Sequence, residues 1–384
     1  MQADPVPPTV KTFRCLEGLR GYMAWCVVLS HAMGATNTIR YLPQLLWPLF
    51  RGRKAVNEFI ILSGFVIAHL ILSKAEPYRA YITRRAFRIV PIYAVCMLLA
   101  AAVPAWRYAL SVVLGESPDM TEASSVAAHL WQHVALHATL LHGVVPDTLL
   151  PFSSEAILAP AWSLSLEWQF YLVAPLLLWL LRKSMASQGL TIGLLLAAYF
   201  LFSSGSLGEW QHPSMLFLSI HWFLIGILSR LWLDASGKLH FWAGPVLLVV
   251  AACLLRSLRW ELLIWAFFHA AVLSERSPGA LPAVIKRPLA WVTANPMITA
   301  LGRVSYSTYL VHLPVFSIVL SLGLWYGASG QRAAVALLGV AAVLIVPISF
   351  LLYSMIERRF IRIGGRFNLA SPTVTPVRIP DPSG

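Results

Sequence analysis

Ten stretches of this chain run apolar for roughly 17–25 residues, the length a helix needs to cross ~30 Å of hydrocarbon. They fall at about 17–37, 56–73, 89–106, 161–181, 190–208, 213–233, 239–255, 258–275, 304–325 and 333–356. That pattern excludes a fold built around one aqueous core. In lipid a spanning segment must satisfy its own backbone, which a helix does. The chain is 58 % hydrophobic and 12 % charged with a mean hydropathy of +0.71, against about 25 % charged in a soluble protein. The fold class expected is all-α, a polytopic membrane bundle of about ten transmembrane helices. Net charge is +13. Basic loops beside anionic lipid account for it without a nucleic-acid partner.

Lys and Arg orient the bundle. With the N-terminus inside, 21 of the 29 lie on inner segments and 8 on outer ones. This asymmetry predicts both termini in the cytoplasm. Arg51, Arg53 and Lys54 run against the rule, clustered in the first outer loop. Three parts follow: a polar N-terminal segment 1–13 without a cleavable signal pattern, a transmembrane domain 14–360, and a Pro- and Ser-rich tail 361–384 expected to be disordered.

Segment 126–145 is moderately apolar, but the loop after it holds Asp147, Glu155 and no Lys or Arg. It is expected to stay outside as an interfacial or re-entrant helix. His129, His133 and His137 recur there at i, i+4, i+8, with His142 beyond. No Cys or carboxylate joins them at ligand spacing, so a solvated face is favoured over metal and no metal site is expected. Cys15, Cys26, Cys96 and Cys253 read as apolar fillers.

Several polar groups break the apolar pattern. In Arg14–Met33, Arg20 and His31 lie eleven positions apart, on one helix face and about 16 Å apart along the axis, with Glu17 close to that face. Ionisable groups in a membrane helix mark an interior path, so His31 reads as a catalytic base held at mid-depth. Tyr81, Arg84, Arg85 and Arg88 follow i, i+3, i+4, i+7 at the inner mouth of the third span. Guanidinium groups there bind phosphate bidentately, or anchor lipid headgroups. Ser163, Glu167 and Tyr171 share a face; Glu167 lies at a depth where it could orient His31, or it is a buried structural carboxylate. Ser305, Thr308, Tyr309 and His312 form a polar stripe that lines a cavity or bonds between helices. Gly64 and Ala68 are a close-packing pair beside Ser63. Asn57 and Glu58 sit at the outer end of their span, where solvent can satisfy them.

These stretches resemble the acyltransferase 3 family of integral membrane O-acyltransferases. The likeness runs through Leu16-Glu-Gly-Leu-Arg20-Gly with His31, Phe59-Ile-Ile-Leu-Ser63-Gly64-Phe65, Arg84-Arg85-Ala-Phe-Arg88-Ile-Val-Pro91-Ile-Tyr93, Trp162-Ser163-Leu-Ser-Leu-Glu167-Trp-Gln-Phe-Tyr171 and Ser305-Tyr-Ser-Thr-Tyr309-Leu-Val-His312-Leu-Pro314. It implies ten spans, acyl-CoA (usually acetyl-CoA) as donor substrate and a hydroxyl acceptor, usually of a carbohydrate. By that resemblance His31 is the essential histidine and Arg20 its motif partner, while Asn57 stands where many members carry Asp. The reading is a bacterial inner-membrane O-acetyltransferase with lipid, acyl-CoA and a carbohydrate as partners. His31 is the base, oriented by Glu167, with an acyl-histidine intermediate as the alternative route. Arg84, Arg85, Arg88 and Tyr93 are the expected donor-binding residues; Ser63, Asn57, Trp162, Ser163, Tyr171, Tyr309 and His312 are expected in the substrate cavity. A proton-coupled exporter of a lipid-linked sugar is the alternative class.

Overall fold

A computed structural model describes residues 13–74, 76–234, 243–277, 279 and 281–367. The helices among them are α1 Arg14–Ala35, α2 Gly52–Ser73, α3 Tyr78–Ala101, α4 Trp106–Leu114, α5 Thr121–Ala128, α6 Leu130–Ala138, α7 Trp162–Lys183, α8 Met185–Ser203, α9 Leu216–Trp232, α10 Ala243–Leu254, α11 Arg259–Arg276, α12 Ala283–Ala294, α13 Pro296–Arg303, α14 Ser305–Trp325, α15 Gly330–Leu352 and α16 Arg358–Arg366. No strand occurs among the described residues.

Each expected apolar segment overlaps a helix among the described residues. Six helical stretches among the described residues are long and apolar enough to span a bilayer: 52–73, 78–114, 159–183, 185–203, 305–325 and 330–366. α9 and α10 are apolar but only 17 and 12 residues long. The protein is thus an all-helical integral membrane protein. Segment 126–145 is cut at His129 into α5 and α6, of 8 and 9 residues, each about 12–14 Å long and too short to cross.

Local signals set the helix ends. Pro296 opens α13 with its φ already helical, while the Asn295 side chain accepts from the Ile298 N–H. Ser184 caps α8 in the same way. α1 stops at Gly34-Ala35, and the next turn places Asn37 in the left-handed region at φ 51°. Between α15 and α16 a π-helical turn, Tyr353–Glu357, swings Glu357 into the bundle.

Glycine lets the central helices touch. An ideal Cβ on Gly64 would lie 2.3 Å from the Phe223 carbonyl oxygen, and one on Gly226 would lie 2.0 Å from that of Ile61. The α2–α9 contact is therefore backbone on backbone, as the Gly64–Ala68 pair predicts. Gly18 against Thr293 and Gly302 against Glu17 lock α1 to the α12–α13 corner in the same manner.

Three expectations are corrected. In the described part of the tail, 361–367, residues 361–366 are helix: α16 follows α15 through the π-helical turn, with Phe87 ringed by Phe360, Phe367 and Gly364. Residues 1–12 and 368–384 lie outside the described residues. His133, His137 and His142 are fully buried rather than solvated, because Tyr93 of α3 bonds the end of α6 and the turn after it packs on the start of α7. Asn57 and Glu58 are buried too, since α11 packs over that end of α2. His31 lies four residues, about 6 Å, from the C-terminal end of α1, which begins at Arg14 and ends at Ala35.

Candidate functional site

A cavity of about 320 Å³ runs between α1, α2, α3, α7 and α14. It extends from Phe13 and His69, at the end of the bundle where α1 starts, to Ser163 and Tyr309. α1 contributes Glu17 and Arg20, and α3 contributes Arg85 and Arg88, one turn apart and so on one face. α2 contributes Ser63, α7 Ser163, Glu167 and Tyr171, and α14 Tyr306 and Tyr309.

Charge in this cavity is nearly balanced. Arg20 pairs with Glu17 at 2.7 Å. Glu167 accepts from Ser63 at 3.2 Å and from the Tyr171 hydroxyl. Glu357, which accepts from Ser307 at 3.0 Å, stands near Arg88 together with Glu167 and Glu17. Arg85 lies against the face of the Tyr171 ring at 5.9 Å, and its Nε is buried without a partner. An unpaired buried donor is costly, so Arg85 holds N–H capacity that a ligand oxygen can use.

His31 is half-buried beyond the Tyr309 end of this cavity. Its Nδ1 lies 3.0 Å from the Val27 carbonyl and 3.3 Å from His312 Nε2. His312 Nδ1 is 2.7 Å from the Tyr309 carbonyl. A carbonyl only accepts, so in the neutral ring Nδ1 of His312 carries the proton and Nε2 offers a lone pair. By this bonding pattern His31 Nδ1–H donates to Val27 and His312, and His31 Nε2 is left bare. Tyr309 connects the pair to the cavity: its hydroxyl donates to the Pro160 carbonyl at 3.0 Å and meets Ser163 Oγ at 2.9 Å.

Of the expected residues, Arg20, Arg85, Arg88, Ser63, Ser163, Glu167, Tyr171 and Tyr309 line one cavity, and His31 and His312 touch each other next to it. Five are placed otherwise. Glu167 does not orient His31; α7 packs on α2 and α3, and its carboxylate is taken by Ser63 and Tyr171. Arg84 turns out of the cavity to pair with Glu76. Tyr93, five positions and about 140° beyond Arg88, donates to the His137 carbonyl at 3.0 Å. Asn57 donates to Glu261, which Lys54 also holds. Trp162 stacks on His212 at 5.3 Å instead of facing the cavity. Sequence reasoning missed Glu357 and Trp106, whose indole meets His31 edge-on at 6.0 Å. Among the described residues no group of three His, Cys, Asp or Glu is placed to hold a metal ion.

Comparison with known proteins identifies relatives along nearly the whole chain. The chain is 24 % identical to BcsY of Komagataeibacter xylinus, named as a membrane-bound transacylase, over 93 % of this chain and 89 % of that protein. It is 26 % identical to the acyltransferase MdmB of Streptomyces mycarofaciens over 94 % of this chain and 95 % of the relative. No solved structure matches it. The acyltransferase domain that defines the acyltransferase 3 family matches residues 13–354, nearly the whole bundle that builds the cavity, and the chain belongs to that family of membrane acyltransferases.

Proposed function

We propose that the protein transfers an acyl group, acetyl by default, from acyl-CoA to a carbohydrate hydroxyl, with His31 as general base. The observation that carries this reading is the His31–His312 contact, which leaves one imidazole nitrogen unprotonated beside a cavity lined by Arg85 and Arg88. The acceptor O–H gives its proton to His31 Nε2 as its oxygen attacks the thioester carbonyl. The C–S bond then breaks, and the imidazolium returns the proton to the CoA thiolate. Val27 and His312 hold the productive tautomer. A cavity of about 320 Å³ suits an acyl-pantetheine arm entering from the Phe13 end. Arg85 and Arg88 meet its oxygens, Arg85 through its unpaired Nε–H. The membrane is the bacterial inner membrane, with the Arg14 end of the bundle in the cytoplasm.

The test is CoA release from acetyl-CoA by purified protein in detergent, with a panel of glycosides and no ion gradient. Wild type releases CoA in a glycoside-dependent way and yields an O-acetyl sugar. His31→Ala lowers that rate by about 10³-fold while its melting temperature and elution profile stay those of wild type. Glycoside-independent release only, or near-normal transfer by His31→Ala, refutes the reading. Vesicle uptake of an unmodified sugar that needs a proton gradient would point to transport instead.

A further inference from the structure

A second cavity, of about 80 Å³, lies close to the His31–His312 pair, with Trp106 and Leu313 in its wall. Its walls are the turn joining α3 to α4, the 155–159 segment ahead of α7, and α14 around Pro314. It shares no lining residue with the large cavity. Trp106 is in its wall and touches the His31 ring edge-on. Leu313, the neighbour of His312, is in its wall too. The Tyr309 ring, in the wall of the large cavity, lies 6.1 Å from that of His312. The two imidazoles thus stand in ring contact with a wall residue of each chamber.

The smaller chamber has a polar group with nothing to bind. Glu155 is 4 % exposed. Its Oε2 takes a hydrogen bond from His212 Nε2 at 3.1 Å, but Oε1 is buried and has no partner. Burial pushes the Glu155 carboxyl up, but the hydrogen bond and charge of His212, with Arg107, hold it below the usual carboxylate range. It is an acceptor only at neutral pH. Arg107 and Glu122 complete the polar wall, and the Trp106 indole with Pro314 completes the apolar one.

We propose that this chamber receives the acceptor as the edge of one neutral sugar ring, with Glu155 Oε1 accepting one of its O–H groups and Trp106 covering its C–H face. The proposal rests on the transfer reading above and adds the site and charge class of the acceptor. A carboxylate or phosphate on the sugar would meet both Glu155 and Glu122, with Arg107 the one cation among the described wall residues and His212 already bonded to Glu155 Oε2. The hydroxyl to be acylated points past Trp106 to His31, while the thioester arrives from the Tyr309 side.

Two readouts test the chamber separately from the reaction. The full-length protein in nanodiscs is photolabelled with a diazirine-bearing hexyl β-glucoside, with hexyl β-glucoside as competitor, and mapped by peptide mass spectrometry. Competed label on 103–107 or 155–159, lost in Glu155→Gln, supports the chamber; label that is absent, uncompeted or confined to the large cavity overturns it. In the CoA-release assay, Glu155→Gln raises the KM for hexyl β-glucoside about tenfold and leaves the KM for acetyl-CoA unchanged, and hexyl β-glucuronide is not used. An unmoved glucoside KM, or equal use of the glucuronide, overturns the proposal. If wild type releases no CoA with any glycoside while competed label stays in the chamber, the transfer reading falls and the chamber stands.

Discussion

Two imidazoles 3.3 Å apart can share one hydrogen bond only if one of them donates and the other accepts. The Tyr309 carbonyl decides which is which by fixing the proton of His312 on Nδ1. His312 therefore positions His31, and His312→Ala lowers kcat by about 10²-fold or more, in line with the loss of a tautomer-fixing partner. The KM for acetyl-CoA stays put, which steady-state kinetics checks. The arginines separate in the same assay. Arg85→Ala raises the apparent KM for acetyl-CoA about tenfold or more, as removal of a charged hydrogen-bond donor predicts. Arg84→Ala changes it less than twofold, because Arg84 is spent on Glu76 outside the cavity. The residue types of this site were legible from the sequence, since ionisable side chains are rare in apolar helices and helical spacing groups them. Their pairing was not. Glu167 and His31 have compatible depths, but which helices are neighbours decides whether they meet, and periodicity within one helix carries no such information.

Helix existence was equally legible, because a run of about 20 apolar residues leaves few alternatives. Helix ends and contacts were harder. The Arg14–Ala35 boundaries put His31 near one end of α1, and the two short helices of 121–138 bury the histidines that their spacing suggested were solvated. Close approach was signalled by Gly64, but Gly226, which receives the other side of the same contact, carries no local mark. Gly226→Leu would drive a side chain into the Ile61 carbonyl and open the α2–α9 seam. A loss of several kcal/mol follows, of order 3, read as a fall in melting temperature of the detergent-solubilised protein. Gly339→Ala is the control: nothing lies within 4 Å of its Cβ position, and Ala in a helix interior gains up to about 1 kcal/mol over Gly. Titration adds a second measure at this scale. Burial pushes the His142 imidazole down to about 4 against a backbone hydrogen bond to Ala161. Its folded form stays neutral while the unfolded chain takes up a proton below ~6.5. The contribution of His142 to stability is thus full above ~6.5 and declines as pH falls from there to about 4. A melting-temperature series over that window in His142→Phe, which keeps the ring stacked beside His137, should be flatter than in wild type.

The whole molecule has one strongly basic end. α1 starts there with Arg14, whose backbone N–H meets Glu275 of α11. Arg230 beside His69, Arg84 beside Glu76, Lys183 at the end of α7 and the arginines of α16 all gather at that end. The opposite end holds the turn after α1, where Gln331 reaches the Thr36 carbonyl, and the loop in which Asp147 binds the backbone of 209 and 211. The cluster that broke the charge rule in the sequence, Arg51, Arg53 and Lys54, is partly cancelled, because Lys54 is paired with Glu261 at 3.0 Å. Under the proposed transfer, this polarity gives the substrates opposite entries: a donor made in the cytoplasm at the basic end, and an acceptor handled outside past Trp106. Orientation is therefore testable apart from catalysis. In a Cys253→Ser background, the other cysteines being buried or half-buried, single cysteines replace the exposed Ser206 and Ser329 at one end and the exposed Ser184 and Arg366 at the other. In intact cells a membrane-impermeant maleimide should label Ser206→Cys and Ser329→Cys, and reach Ser184→Cys and Arg366→Cys only after lysis. The reverse pattern would send acyl-CoA to the wrong side of the membrane for the large cavity, and the two chambers would have to exchange substrates or be abandoned as donor and acceptor sites.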